Sequence, residues 1–81
     1  MLPLVLGASR IPVPNSGACD WGLGNAGIRA NCKTCKQYYD PRPQFGNTDG
    51  GVCVYVPGKD KCFAARYARN QNYEIANCGE F

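Results

Sequence analysis

Cysteine is the residue type in this 81-residue chain with the most chemistry available to it. The six cysteines are Cys19, Cys32, Cys35, Cys53, Cys62 and Cys78, and the chain has no histidine. An even number in a short chain predicts three disulfides. At about 2–4 kcal/mol each, they would contribute about as much as the net stability of a typical domain. We therefore expect the disulfides to decide whether the chain folds. They also predict an extracellular protein, because disulfides persist in oxidising compartments.

One cysteine pair has a spacing that also suits other chemistry. Cys32 and Cys35 form a C-x-x-C sequence, which is half of many zinc sites. The second half is missing, because eight residues separate Cys53 from Cys62 and no histidine could replace them. A thioredoxin-like redox pair would need a βαβ frame that this length and pattern do not supply. The disulfide interpretation is therefore favoured, with no metal and no cofactor.

Groups for enzymatic catalysis are scarce in this sequence. Histidine, the usual general base, is absent, and disulfide formation would use every thiol that could act as a nucleophile. The acidic residues are scattered through the chain as Asp20, Asp40, Asp49, Asp60, Glu74 and Glu80. We therefore predict a protein that is not an enzyme, with a glycosidase that uses two of these carboxylates as the alternative.

The charge balance is mildly basic. Nine lysines and arginines against six acidic residues give a net charge of +3. Such a charge favours contact with anionic surfaces, whereas nucleic-acid binders carry a stronger and more clustered excess. The sequence has no apolar run of the roughly 18 residues or more that a membrane-spanning helix needs. We expect a monomer whose partner is an anionic membrane surface or an extracellular protein or glycan, and not a nucleic acid.

The N-terminal residues form a segment of their own. Residues 1–8 are apolar and end in small residues, as at the end of a secretory signal peptide, although no basic stretch precedes them. Residues 9–17 contain two prolines and indicate an extended lead-in. We predict that residues 1–17 are a signal-peptide remnant or an extended segment peripheral to the fold, and that 18–81 form one disulfide-stabilised domain.

Periodicity and proline placement predict one helix. Apolar residues recur at helical spacing from residue 28 to residue 39, which places Cys32 and Cys35 on one face. The prolines within 40–43 end the pattern, because proline cannot continue a helix. The sequence therefore predicts a helix over 26–39.

Three stretches rich in β-branched and aromatic residues predict strands, at 52–56, 62–68 and 73–78, although the alanines of the second would also suit a helix. The predicted fold is α+β: a small disulfide-rich domain in which one helix packs on a three-stranded antiparallel sheet. Six cysteines allow fifteen pairings. In our interpretation, the two helix cysteines each bond to a cysteine of the sheet, and Cys19 bonds to the remaining one.

The stretch from 51 to 62 is predicted to be a hairpin with a basic tip. Pro57 and Gly58 are a type II turn signal, since proline presets φ and glycine allows positive φ. The turn also carries Lys59 and Lys61. The hairpin would therefore present two cations at an exposed turn.

The same stretch carries a resemblance to a known class of proteins. Gly51-x-Cys53, followed after eight residues by Cys62, resembles the γ-core motif Gly-x-Cys-x(3–9)-Cys of cysteine-stabilised antimicrobial peptides and toxins, defensins among them. The resemblance implies a cationic hairpin that engages microbial membranes or lipids, in a small secreted cysteine-rich protein of fungal or plant type. A hairpin that only ties the scaffold together would carry the same motif.

One binding mechanism uses the basic residues. Lys59, Lys61, Arg66 and Arg69 are predicted to form a basic face that attracts anionic lipid headgroups, with apolar contact from Tyr55 beside the turn. This mechanism predicts a secreted, non-enzymatic effector or defence protein, antimicrobial or toxin-like in character.

Two alternatives use other properties of the chain. Trp21, Tyr55 and further aromatic residues could present a surface to a host protein or to a polysaccharide such as chitin. For Trp21 itself we favour a place in the core, since large aromatics dominate small cores. The second alternative is a protease inhibitor that presents Lys59 or Lys61 on a rigid turn.

Overall fold

The computed structural model describes residues 10–45 and 49–79. Over these residues the chain is a small disulfide-rich α+β protein with three short helices and two two-stranded sheets. The helices are α1 (Cys19–Asn25), α2 (Cys32–Cys35) and α3 (Ala65–Asn70). The strands are β1 (Ile11–Pro12), β2 (Tyr38–Tyr39), β3 (Cys53–Val56) and β4 (Lys61–Ala64). Short 3-10 turns cover Pro14–Ser16, Pro43–Phe45 and Asp49–Gly51.

The hairpin predicted over 51–62 is formed by β3 and β4. The two strands pair antiparallel up to Val56. The backbone N–H groups of Lys59 and Asp60 both donate to the Val56 carbonyl, at 3.0 and 2.8 Å, and close the loop. Asp60 takes the left-handed conformation, with a φ of 55°. The hairpin is therefore confirmed, whereas the predicted type II turn is wrong, because the left-handed residue is Asp60 and not Gly58.

The second half of the predicted strand 62–68 is a helix. The strand β4 ends at Ala64, and the N–H of Ala65 donates to the Val52 carbonyl at 2.8 Å as α3 begins. Alanine has the highest helix propensity, and α3 buries Ala65 and Ala68 on one face. Helix propensity and this buried face together outweigh the alternation that predicted a strand.

The predicted third strand, 73–78, is wrong. Residues 73–79 form neither helix nor strand. The N–H of Ala76 donates to the Tyr55 carbonyl at 2.9 Å, but no ladder of such bonds joins this segment to β3. The three-stranded sheet is therefore replaced, within the described residues, by the β3–β4 hairpin and a separate parallel pair of β1 and β2.

The predicted helix over 26–39 is wrong except at its centre, where α2 lies. Gly27 has a left-handed φ of 77°, so the chain turns instead of starting a helix there. The helix starts instead after Asn31, whose side chain accepts from the Thr34 N–H at 2.9 Å while the Thr34 hydroxyl accepts from the Asn31 N–H at 3.0 Å. This reciprocal capping box sets the beginning of the helix. After α2, Tyr38 and Tyr39 form the strand β2 instead of continuing the helix.

The helix α1 has no counterpart among the predicted elements. Its sequence contains two glycines, which are poor helix formers. Burial compensates, because α1 packs Cys19, Gly22 and Leu23 into the core. A Cβ on Gly22 would lie 2.8 Å from the Pro14 carbonyl oxygen. Glycine therefore lets the helix approach the preceding 3-10 turn closely.

Three disulfides join these elements, and they use all six cysteines. The bonds are Cys19–Cys53, Cys32–Cys78 and Cys35–Cys62. The prediction that each helix cysteine bonds to a cysteine of the sheet is confirmed for Cys35 and wrong for Cys32, and Cys19 takes the remaining partner as expected. Cys78 differs from the prediction in lying after α3, in a segment that is not a strand. No thiol is left to serve a zinc site or a redox pair.

The N-terminal segment packs on the domain from residue 11 onward. The strand β1 pairs parallel with β2, and the N–H of Val13 donates to the Tyr39 carbonyl at 2.9 Å. Val13 is 2% exposed and belongs to the hydrophobic core. This part of the segment is therefore integrated in the fold and not peripheral to it. Residues 1–9 lie outside the described residues, and the signal-peptide interpretation stays a prediction.

Gly51, at the start of the hairpin, lies too close to its neighbours to carry a side chain. A Cβ there would lie 2.7 Å from the Asp40 carbonyl oxygen. We expect Gly51→Ala to lower the free energy of unfolding by about 1–3 kcal/mol, through overpacking. Gly58→Ala is the matched control, since a Cβ at Gly58 would meet nothing within 4 Å. Urea unfolding followed by circular dichroism measures both, and equal losses would contradict the expected steric cause.

Candidate functional site

A cleft of about 310 Å³ lies between α2, β3, α3 and the C-terminal segment. Its described lining carries three cationic side chains, Arg10, Lys36 and Arg69, and no aspartate or glutamate. We call it the cationic cleft. Three positive groups around one concavity attract anions more strongly than the same charges spread over a surface.

Three distant parts of the chain position these cations. Arg10 directly precedes β1, and its guanidinium donates to the Lys36 backbone carbonyl. Because Lys36 directly follows α2, this bond holds the N-terminal segment against the end of that helix. Arg69 lies in the last turn of α3. The cleft therefore exists only when β1, α2 and α3 are all in place.

Much of the remaining lining is apolar. Val52, Val54, Ala65 and Ala76 contribute to it, together with the Cys32–Cys78 disulfide. Guanidinium and ammonium groups bind phosphate and carboxylate oxygens through charge-assisted hydrogen bonds. Apolar walls favour ligands that also bury hydrocarbon. The cleft suits a ligand that combines an anionic group with an apolar part.

Tyr55 lines the cleft and connects it to the hairpin tip. Its hydroxyl donates to Asp60 Oδ1 at 2.7 Å. This hydrogen bond raises the pKa of Tyr55 above its usual value, because a carboxylate acceptor favours the protonated phenol, and the negative charge of Asp60 acts in the same direction. The phenol is therefore neutral at physiological pH, and the bond fixes its position.

The predicted basic residues are not gathered around one site. Arg69 lies in the cationic cleft, whereas Lys59, Lys61 and Arg66 are not part of its lining. The Lys59 ammonium lies 5.0 Å from the ring centroid of Tyr73, in a cation–π contact. Two cleft residues, Arg10 and Lys36, were missing from the prediction because they belong to segments whose placement depends on tertiary structure.

The hairpin tip is exposed, but it is a tight turn. Residues 57–61 are all exposed. Lys61 begins β4, and the Lys59 side chain folds back over Tyr73. Neither lysine stands on an extended loop, and the protease-inhibitor alternative stays a prediction.

Trp21 lies at the surface, and its interpretation as a core residue is wrong. It is 52% exposed on α1. Its ring lies so close to Gly17 that a Cβ on the glycine would overlap it. The ring thus packs over Gly17, and it does not line the cationic cleft.

A second surface feature consists of three aromatic rings, Phe63, Tyr67 and Tyr73, which we call the aromatic patch. Their ring centroids are 5.6 Å apart for Phe63–Tyr67, 5.2 Å for Phe63–Tyr73 and 6.1 Å for Tyr67–Tyr73. Tyr67 is 41% exposed. The three rings come from β4, α3 and the segment after α3, and the alternation that relates Phe63 to Tyr67 in the sequence predicted a strand instead of this cluster.

Known proteins offer no further guide to this site. Comparison of the chain with protein-family models, curated proteins and solved structures finds no match. The likeness of residues 51–62 to a defensin-type hairpin therefore stays a prediction. Within residues 10–45 and 49–79, none of the helices has the length and hydrophobicity needed to cross a membrane.

Proposed function

We propose that this protein is a secreted, non-enzymatic effector or defence protein that binds anionic lipid headgroups in its cationic cleft. The observation that carries the proposal is the convergence of Arg10, Lys36 and Arg69 around one cleft with apolar walls. The hairpin-tip lysines add to the positive field without forming the site. The proposal keeps the predicted target, an anionic surface, and moves the contact from the tip to the cleft.

The expected binding free energies show that both the cationic side chains and the apolar walls of the cleft are needed. Each cation near an anionic surface contributes about 1 kcal/mol, so the three together contribute at most about 3 kcal/mol. That alone corresponds to binding weaker than about 1 mM. Micromolar binding needs about 8 kcal/mol, and the difference must come from apolar contact along Val52, Val54 and Tyr55. A headgroup with its attached acyl chain offers both contacts, whereas a free inorganic anion offers only one.

Two other features support a secreted defence role. The three disulfides are compatible with an extracellular protein. The hairpin 51–62 has the form that its resemblance to the γ-core implies, with a cysteine in each strand. The absence of histidine from the sequence supports action by binding instead of catalysis.

Neutralising Arg69 tests the site. We expect Arg69→Gln to weaken binding to vesicles that contain phosphatidylglycerol about fivefold, since one cation contributes about 1 kcal/mol. Arg66→Gln is the matched control, because it removes the same charge from the same helix outside the cleft. Vesicle co-sedimentation over a range of salt concentrations measures both variants.

The outcomes of this experiment are distinct. A larger loss for Arg69→Gln than for Arg66→Gln supports the cleft. Equal losses would mean that only the overall charge matters. If the unaltered protein shows no preference for phosphatidylglycerol over phosphatidylcholine vesicles, the membrane function itself is wrong. Competition by soluble glycerol phosphate separates headgroup recognition from contact with the acyl region.

A further inference from the structure

The aromatic patch borders a pocket that is separate from the cationic cleft. The pocket has a volume of about 220 Å³ and lies between α1, the segment 40–42 and the junction of β4 with α3. Phe63 and Tyr67 belong to its lining, and none of the described residues that line this pocket also lines the cationic cleft. We call it the aromatic pocket.

Two ring systems form one side of this pocket. Phe63 and Tyr67 stack with an angle of 29° between their planes. Tyr67 is exposed, while Phe63 is half-buried and also contacts Tyr73. The face of an aromatic ring is negatively polarised and attracts the weakly positive C–H groups of a ligand. The ring of Tyr67, which is the exposed member of the stacked pair and lines the pocket, therefore provides a flat, apolar surface for a ligand of matching shape.

Charged groups of both signs form the other side. Asp40 is fully buried, and its carboxylate accepts from Nε and Nη2 of Arg42, at 3.0 and 2.8 Å. The Arg42 side chain is 40% exposed and lines the pocket together with Asp20. The pocket thus offers guanidinium donors and a carboxylate acceptor, and the Arg42 charge is largely balanced by Asp40. Such a mixture suits a neutral ligand that carries several hydroxyl groups.

We propose that the aromatic pocket binds one neutral sugar ring of a glycan. A pyranose has a flat face of C–H groups, which would lie on the ring of Tyr67, with Phe63 stacked on that ring, and an edge of hydroxyls, which would bond Asp20 and Arg42. A volume of about 220 Å³ is below the range of about 300–1,000 Å³ for drug-sized ligands, which favours a single ring. The proposal is independent of lipid binding and gives the predicted glycan partner a site different from Trp21 and Tyr55.

Titration of the ¹⁵N-labelled protein with neutral trisaccharides, followed by NMR, tests this proposal. The probes are chitotriose (the N-acetylated form), cellotriose and mannotriose. We expect saturable shifts at Asp20, Arg42, Phe63 and Tyr67 for at least one of them, unaffected by added salt. Tyr67→Ala is expected to weaken that binding about tenfold. Tyr67→Leu, which keeps apolar bulk, is the second variant in case the first fails to fold.

Trp21→Ala is the control, since it removes an exposed aromatic ring that does not line the pocket. It should leave the sugar affinity unchanged. The proposal is overturned if none of the trisaccharides shifts these resonances, or if Tyr67→Leu binds as well as the unaltered protein. It is also overturned if the pocket responds to choline and not to sugars, which would make it a cation site. Sugar binding should not depend on salt concentration, whereas lipid binding in the cationic cleft should weaken as salt is added. The two proposals can therefore succeed or fail independently.

Discussion

Replacing Cys35 and Cys62 by alanine is expected to lower the free energy of unfolding by about 4 kcal/mol and the melting temperature by about 15–30 °C. The two cysteines are 27 residues apart in sequence, and both are 1% exposed. Loop closure over that distance stabilises by about 3.5 kcal/mol in the chain-entropy model. The loss of buried sulfur contacts adds to this, because the packed core relaxes only in part. Such a loss is large beside the net stability of a small domain.

The Cys32–Cys78 disulfide, whose two cysteines are half-buried, should behave differently. Cys32 and Cys78 are 46 residues apart, so loop entropy alone predicts a larger loss, about 4 kcal/mol. However, Cys78 ends a segment with no helix or strand, which meets the hairpin through the Ala76–Tyr55 hydrogen bond. Once the bond is removed, the native protein regains chain entropy as this segment detaches, and that offsets part of the loss. We expect a net loss of less than about 2 kcal/mol.

Urea unfolding of the two double-alanine variants, with hydrogen exchange of the backbone amides, compares these disulfides. Exchange should become fast in residues 74–79 of the Cys32→Ala/Cys78→Ala variant, while β3 and β4 stay protected. A loss as large as that of the Cys35→Ala/Cys62→Ala variant would show that the C-terminal segment is an integral part of the cooperative fold. Mass mapping of the two remaining bonds in each variant controls for exchange of partners.

The hairpin was predictable because it depends on local information, whereas the disulfide pairing was predictable only in part. The β-branched run of β3 and the turn residues after it are adjacent in sequence. Placing Cys32 and Cys35 on one helical face predicted that they bond to other cysteines and not to each other, and even the four-residue helix α2 is long enough to do that; the sequence does not decide which cysteine each of them bonds. The helix length was wrong because the periodic pattern could not reveal the left-handed backbone at Gly27.

The candidate sites were less predictable, because each is assembled from distant segments. Arg10 enters the cationic cleft only because β1 pairs with β2, a parallel contact that joins residues 11–12 to 38–39. Charge clustering along the sequence favoured Lys59 and Lys61 instead. The aromatic pocket depends on α1, whose two glycines argued against a helix at all. Tertiary packing decided both cases, and no local signal reports it.

The Asp40–Arg42 ion pair is a structural feature beneath the aromatic pocket. The Arg42 N–H donates to Asp40 Oδ1 at 3.0 Å, as in an Asx turn, and the prolines at 41 and 43 restrict the backbone on either side. The guanidinium forms a fork on the same carboxylate and lies 5.4 Å from the Phe45 ring centroid. The hydrogen bond to Asp40 raises the pKa of Arg42 further, so the guanidinium stays protonated.

Arg42→Ala is therefore expected to lower the free energy of unfolding by about 3 kcal/mol, because it leaves the carboxylate of Asp40 buried without its partner charge. This is the lower end of the usual range, since the Arg42 side chain is 40% exposed. Arg42→Lys keeps the charge and loses the fork, so its loss should be smaller but measurable.

A double-mutant cycle of Asp40→Ala and Arg42→Ala, measured by urea unfolding, isolates the pair. We expect a coupling free energy of about 2 kcal/mol, since the double variant no longer buries an unpaired carboxylate and should be little less stable than Arg42→Ala alone. Additive losses would show that the fork contributes no specific interaction. In that case the Asx turn and the two prolines would hold the segment without the ion pair, and an Asp40→Asn variant, which keeps the turn acceptor, should retain nearly full stability.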